Sequence, residues 1–228
     1  MITTDPKVLG LAFLGGILPS LFWLWFWLKE ENKKPEPKMI LSMVFITGIF
    51  SVILVLPIQK FILAHIDSAN GKLILWAATE EILKFLAVFV VIYKTKYDHK
   101  PIDWPIYLVT TALGFAALEN TLFLIKPLAT GENTLGFLTG ELRFLGSTLL
   151  HAVTSGLLGL FIGFSLHKKL FSREFYFIVG LSLAIALHSI FNFFIIENSG
   201  SDFLKVFVSL WITAVVVMLF FEKVRRMN

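Results

Sequence analysis

Side chains capable of acid–base chemistry stand in stretches of this sequence that are otherwise apolar. Glu80, Glu81 and Lys84 share one stretch, Glu119 and Asn120 a second, His151 lies in a third, and His188 with Asn192 in a fourth. A charged side chain at a bilayer centre costs about 2.5–3.5 kcal/mol on insertion scales, so the three charges around Glu80 imply roughly 8–10 kcal/mol before pairing. Groups kept at such a cost point to a polar pocket inside a helix bundle. Carboxylates, imidazoles, an ammonium and amides together suit the activation of water. Glu80 or Glu81 would be the base, and Asn192, Asn120 or a histidine would hold the oxyanion of a tetrahedral intermediate. Glu119, His151 and His188 also form a two-His-one-Glu set, a composition known for catalytic zinc. Those ligands come from three separate stretches with no local spacing motif, so metal-dependent and metal-free chemistry both fit the residues.

The elements that must position these groups are of membrane length. A hydrocarbon core about 30 Å thick needs about 20 helical residues at 1.5 Å each. Seven segments qualify, near 8–28, 39–60, 73–93, 105–125, 144–167, 175–196 and 203–221. The expected fold is all-α, a polytopic transmembrane bundle of about seven spans forming one integral domain over 1–228. Polar or breaker-rich connectors separate the spans: Lys29–Lys38, a short turn near Asp67–Gly71, Lys94–Trp104, Lys126–Arg143, Lys168–Glu174 and Glu197–Asp202. The first run, Val8–Leu28, reads as a retained span, since it is long for a signal peptide and no small-x-small cleavage pattern follows it.

Composition agrees. Hydrophobic residues make up 57% and aromatic residues 15%, against 16% charged, with a mean hydropathy of +0.80; this is a membrane composition. The absence of cysteine removes disulfides, thiol nucleophiles and thiolate metal sites. A net charge of +4 by itself would suit a nucleic-acid partner, but the placement of the basic residues argues against it. Thirteen of the 20 Lys and Arg fall in 29–38, 94–104, 168–174 and the tail 222–228, all on one side of the bundle; six lie on the other and Lys84 lies within a span. The positive-inside rule then puts the N terminus outside and the C terminus in the cytoplasm.

With that topology, depth follows from position. Glu80 and Glu81 lie seven or eight residues below the outer end of their span, Glu119 about six, His151 seven and His188 eight. All are expected roughly 9–12 Å under the outer boundary, although their helices run in alternating directions. Glu80 with Lys84, and His188 with Asn192, are i,i+4 pairs that share a helix face. Arg143 would stand at the outer rim, and the connector Lys126–Arg143, with Gly131, Gly136 and Gly140, reads as a long loop or a gate. Asn120 and Asn192 also suit interhelical hydrogen bonding. Thr79, Ser155 and Ser189 read as small packing residues bonded to their own helix backbone, and Trp23, Trp25, Trp27, Trp76, Trp104 and Trp211 as lipid-facing or interfacial.

The run Glu80-Glu81-Ile82-Leu83-Lys84 resembles the EExxK motif of the PrsW family of intramembrane proteases. Phe115-Ala116-Ala117-Leu118-Glu119-Asn120 is similar to that family's FxxxEN motif, and His151 and His188-Ser189-Ile190-Phe191-Asn192, read as HxxxN, to its later ones. The resemblance covers about residues 73–196. Type II CAAX prenyl endopeptidases, of the same superfamily, usually carry a histidine where this chain has Glu119. The resemblance implies an endopeptidase of a prokaryotic plasma membrane that cuts membrane-anchored proteins, such as an anti-sigma factor, on their extracytoplasmic side. Glu80, Glu81, Lys84, Glu119, His151, His188 and Asn192 would form its catalytic set. Two other readings compete: a proton- or ion-coupled transporter, because intramembrane Glu, Lys and His also build proton relays, and a non-catalytic assembly subunit.

Overall fold

The structure, a computed structural model, describes residues 5–29, 37–95, 100–131, 146–196 and 203–227. Among them are seven helices and no strand: α1 (Pro6–Lys29), α2 (Lys38–His65), α3 (Ala69–Lys94), α4 (Asp103–Ala129), α5 (Thr148–Ser165), α6 (Leu170–Ile196) and α7 (Phe203–Arg225). Six are long and apolar enough to cross a membrane. The exception is α3, whose 26 residues are long enough but include Glu80, Glu81 and Lys84. Each expected span has its helix, usually longer by a few residues. The turn before α3 is shorter than expected because Ser68 caps the helix, its hydroxyl accepting from the Gly71 amide at 3.2 Å. Arg143 and the rest of the proposed gate beyond Gly131 lie outside the described residues.

Burial ranks the helices. In α4 and α5, 67% and 83% of the most apolar window is buried, against 22% in α1. The centre is therefore α4, packed against α1, α2 and α5, with α6 and α7 leaning on α5 and α3 closing between α2 and α6. Phe13, Phe22, Phe50, Phe61 and Ile178 are exposed on the outer helices, as a lipid-facing rim requires. Glycine sets the closest approach. A Cβ on Gly48 of α2 would overlap the Thr111 carbonyl of α4, and one on Gly114 would overlap the Phe45 carbonyl of α2. The backbones meet there, and Thr111 Oγ1 donates across to the Val44 carbonyl at 3.1 Å.

Two tryptophans depart from the interfacial expectation. Trp23 and Trp27 are each 4% exposed, on the α1 stripe Ala12, Gly16, Ser20, Trp23 and Trp27. That spacing of three and four turns one face inward, and the rings meet Trp211 and Phe221 of α7 at 5.8 and 5.2 Å. Trp25, off the stripe, is exposed as expected.

Candidate active site

The buried face of α3 carries Leu73, Ala77, Glu80, Glu81, Lys84, Val88 and Val91, a helical spacing that points three ionisable groups into the bundle. Glu81 is its polar hub. Its Oε1 accepts from Lys84 Nζ at 2.7 Å, from His188 Nδ1 at 2.8 Å and from Thr154 Oγ1 at 3.1 Å, while Oε2 accepts from Ser155 Oγ at 3.0 Å. Both side chains of the Glu81–Lys84 pair are wholly buried. Charge pairing and four hydrogen bonds offset the desolvation that an isolated carboxylate would suffer.

Lys84 reaches the opposite way as well, to His151 Nδ1 at 2.9 Å, and its ammonium lies 4.9 Å from the centre of the Phe115 ring. An ammonium only donates, so His151 Nδ1 accepts and the ring's proton sits on Nε2, which donates to Glu119 Oε2 at 3.1 Å. The second imidazole is held in the opposite sense. A carboxylate only accepts, so His188 Nδ1 donates to Glu81, and in the neutral ring the Nε2 lone pair faces Glu80 Oε2 at 3.7 Å. The two rings meet edge to face, 5.1 Å between centroids.

Glu80 is bound quite differently from Glu81. Gln59 of α2 donates to its Oε1 at 2.9 Å, and its buried Oε2 has no hydrogen-bond partner. Two electron-pair donors, Glu80 Oε2 and His188 Nε2, therefore face each other without a proton donor between them. Such an arrangement suits a water or a cation. Glu80, His151 and His188 each offer one ligand atom within 4.8 Å of the others, a donor set of two imidazoles and a carboxylate. The observed 3.7 Å between Glu80 Oε2 and His188 Nε2 lies near the roughly 3.3 Å edge of a tetrahedron with bonds of about 2.0–2.1 Å. Glu81 behind His188 is the carboxylate that commonly orients a ligating histidine. The two imidazoles and the carboxylate thus fit a metal provided that His151 releases its bond to Lys84 or to Glu119 to offer a lone pair; Glu119, expected as the carboxylate ligand, lies beside His151.

Six of the seven residues singled out in the sequence meet here. The seventh, Asn192, is half-buried, and no hydrogen bond ties it to the cluster. Asn120 donates to Thr148 Oγ1 at 2.8 Å, joining α4 to α5. Ser155 does not bond its own helix backbone as expected; its hydroxyl goes to Glu81, a stronger acceptor within reach. Thr79 and Ser189 do bond their own helices, to Leu75 and Ile185 carbonyls. Gln59 and Thr154 were missed. Gln59 was detectable as an amide in an apolar span, and Thr154 as the hydroxyl one turn from His151.

A profile described as PrsW family intramembrane metalloprotease matches residues 36–221. The chain is 30% identical to Protease PrsW of Geobacillus kaustophilus over 80% of this chain and 79% of the relative. It is 26% identical to Protease PrsW of Shouchella clausii over 89% and 93%, and 27% identical to that of Bacillus subtilis over 86% and 84%. No solved structure matches the chain significantly. With the matched profile covering all four helices that carry the cluster, the chain belongs to the PrsW family of intramembrane metalloproteases.

Proposed function

We propose that this chain is an endopeptidase of a bacterial plasma membrane that cleaves membrane-anchored proteins, of the anti-sigma-factor type, near the extracytoplasmic face. One domain over 1–228, with the N terminus outside and the C terminus in the cytoplasm, would set the site in the outer half of the bilayer. The observation that carries the reading is Glu80 Oε2, buried, without a hydrogen-bond partner and 3.7 Å from His188 Nε2. That oxygen takes a proton from water as the water oxygen attacks the scissile carbonyl carbon, and then delivers it to the departing amine. Glu81, whose oxygens already accept four hydrogen bonds, orients His188 and neutralises Lys84. Lys84 and Glu119 fix His151 from its two nitrogens. Asn192, one turn beyond His188, would donate to the developing oxyanion.

Glu80, His151 and His188 are the residues that would hold a metal. When bound, the ion would make a water more acidic and polarise the carbonyl. In that case Glu80 would be a ligand, and Glu119, beside His151, would be the carboxylate left to accept a proton.

The test is cleavage of a purified single-span substrate by purified protein, with metal content measured alongside. Glu80→Gln should lower turnover about 10²–10⁴-fold. If it also loses metal, Glu80 is a ligand; if it keeps metal, Glu80 is the base. Wild-type turnover in Glu80→Gln would overturn the mechanism, and ion flux without cleavage would favour a transporter.

A further inference from the structure

We infer that Gln59 is a positioning residue for Glu80, selecting which oxygen of that carboxylate is presented to the imidazoles. The inference rests on the proposed role of Glu80 in handling water or metal. Gln59 lies on the stripe of α2 that faces inward: Gly48, Val52, Val55, Gln59 and Ile62, spaced by fours and threes. The four others are buried and apolar, whereas Gln59 is half-buried, its amide withdrawn in part from water and turned to a partner inside the bundle. Its Nε2 donates to Glu80 Oε1 at 2.9 Å across the α2–α3 contact.

The bond has a directional consequence. Rotation of a carboxylate about its last bond is broad and roughly two-fold, so an unheld Glu80 would present either oxygen over a wide range of angles. With Oε1 tied to Gln59, Oε2 is left facing His188 Nε2. A neutral amide anchors one oxygen and leaves the other free, whereas the cation and three further donors around Glu81 occupy both of its oxygens. The anchor is itself held. Gly48 stands eleven residues before Gln59, about three turns along the same face, where the α2 backbone is seated against Thr111 of α4. Gln59 therefore acts from a fixed scaffold on the less constrained of the two adjacent carboxylates.

The experiment uses the full chain in detergent with a single-span substrate, and compares Gln59→Met, Gln59→Asn, Glu80→Gln and the Gln59→Met/Glu80→Gln pair. Methionine keeps the length and removes the donor; asparagine keeps an amide but falls short of Glu80. Gln59→Met should lower kcat about 10–100-fold, the usual scale for a residue behind a ligand or catalytic group, with KM and the unfolding midpoint unchanged. Gln59→Asn should be intermediate. In the Glu80→Gln background, Gln59→Met should reduce residual turnover no further. Wild-type kcat in Gln59→Met, or the same fold-loss in both backgrounds, would overturn the inference. Should Gln59→Met not accumulate as folded protein, wild-type kcat in Gln59→Asn would do so. If Glu80→Gln itself turns over normally, the reading of the site fails; if Glu80→Gln is inactive while both Gln59 variants are normal, only the role of Gln59 fails.

Discussion

Exchanging Glu81 for glutamine keeps the shape of the hub and removes its charge. Three donors, Lys84, His188 and Thr154, converge on Oε1, which the amide oxygen can replace, and Ser155 can turn its hydroxyl to accept from the new NH₂. The chief loss is therefore the counter-charge of Lys84, which is wholly buried. Breaking a buried pair by removing one partner costs about 3–5 kcal/mol because the other charge is left uncompensated. On the scale of soluble domains of this size, that lowers the unfolding midpoint by roughly 6–20 °C. Replacing Lys84 by methionine as well removes the stranded cation. The double variant gives up the Lys84–His151 hydrogen bond, worth about 1 kcal/mol, and should recover most of the stability without recovering activity. Thermal unfolding in one detergent, followed by helical circular dichroism and with turnover measured on the same preparations, reads both quantities. A Glu81→Gln variant within about 1 kcal/mol of wild type, or a double variant no more stable than the single one, would refute the view of Glu81 as the counter-charge that keeps Lys84 buried.

Glu80→Gln should behave in the opposite way, losing turnover while its unfolding midpoint stays near wild type, because the amide can still accept from Gln59; a large drop in midpoint would count against the division of labour between the two glutamates. Gly48→Ala and Gly114→Ala should each destabilise by about 1–3 kcal/mol in the same melts, since the new methyl meets a backbone carbonyl of the facing helix; midpoints equal to wild type would mean that α2 and α4 are further apart. Reporter fusions after Lys34, Lys100 and Lys169 should read cytoplasmic and fusions at Asn133 and Ser199 external, as the basic-residue asymmetry requires; reversed signals would move the site to the inner half of the membrane.

What was legible in the sequence was the existence of the cluster and the common level of its members, because charge in an apolar helix is costly wherever the helix packs. Glu80, Glu81, Lys84, Glu119, His151 and His188 stand out on that ground alone, and counting residues from each span's end brings them to one level. The partition of roles among them was not legible. Glu80 and Glu81 are neighbours of the same type at the same depth, and a helix turns about 100° between them. That turn aims Glu81 at the hydroxyls of α5 and at Lys84, and Glu80 at Gln59 of α2. Which carboxylate keeps a free oxygen is thus decided by side chains 21 and 73 residues away in sequence, and no local pattern encodes it. The same limit applies to Trp23 and Trp27, which look interfacial by type and are core by the face they occupy. In this bundle the cost of burial reveals which residues matter, and the angle at which neighbouring helices meet them decides what each does.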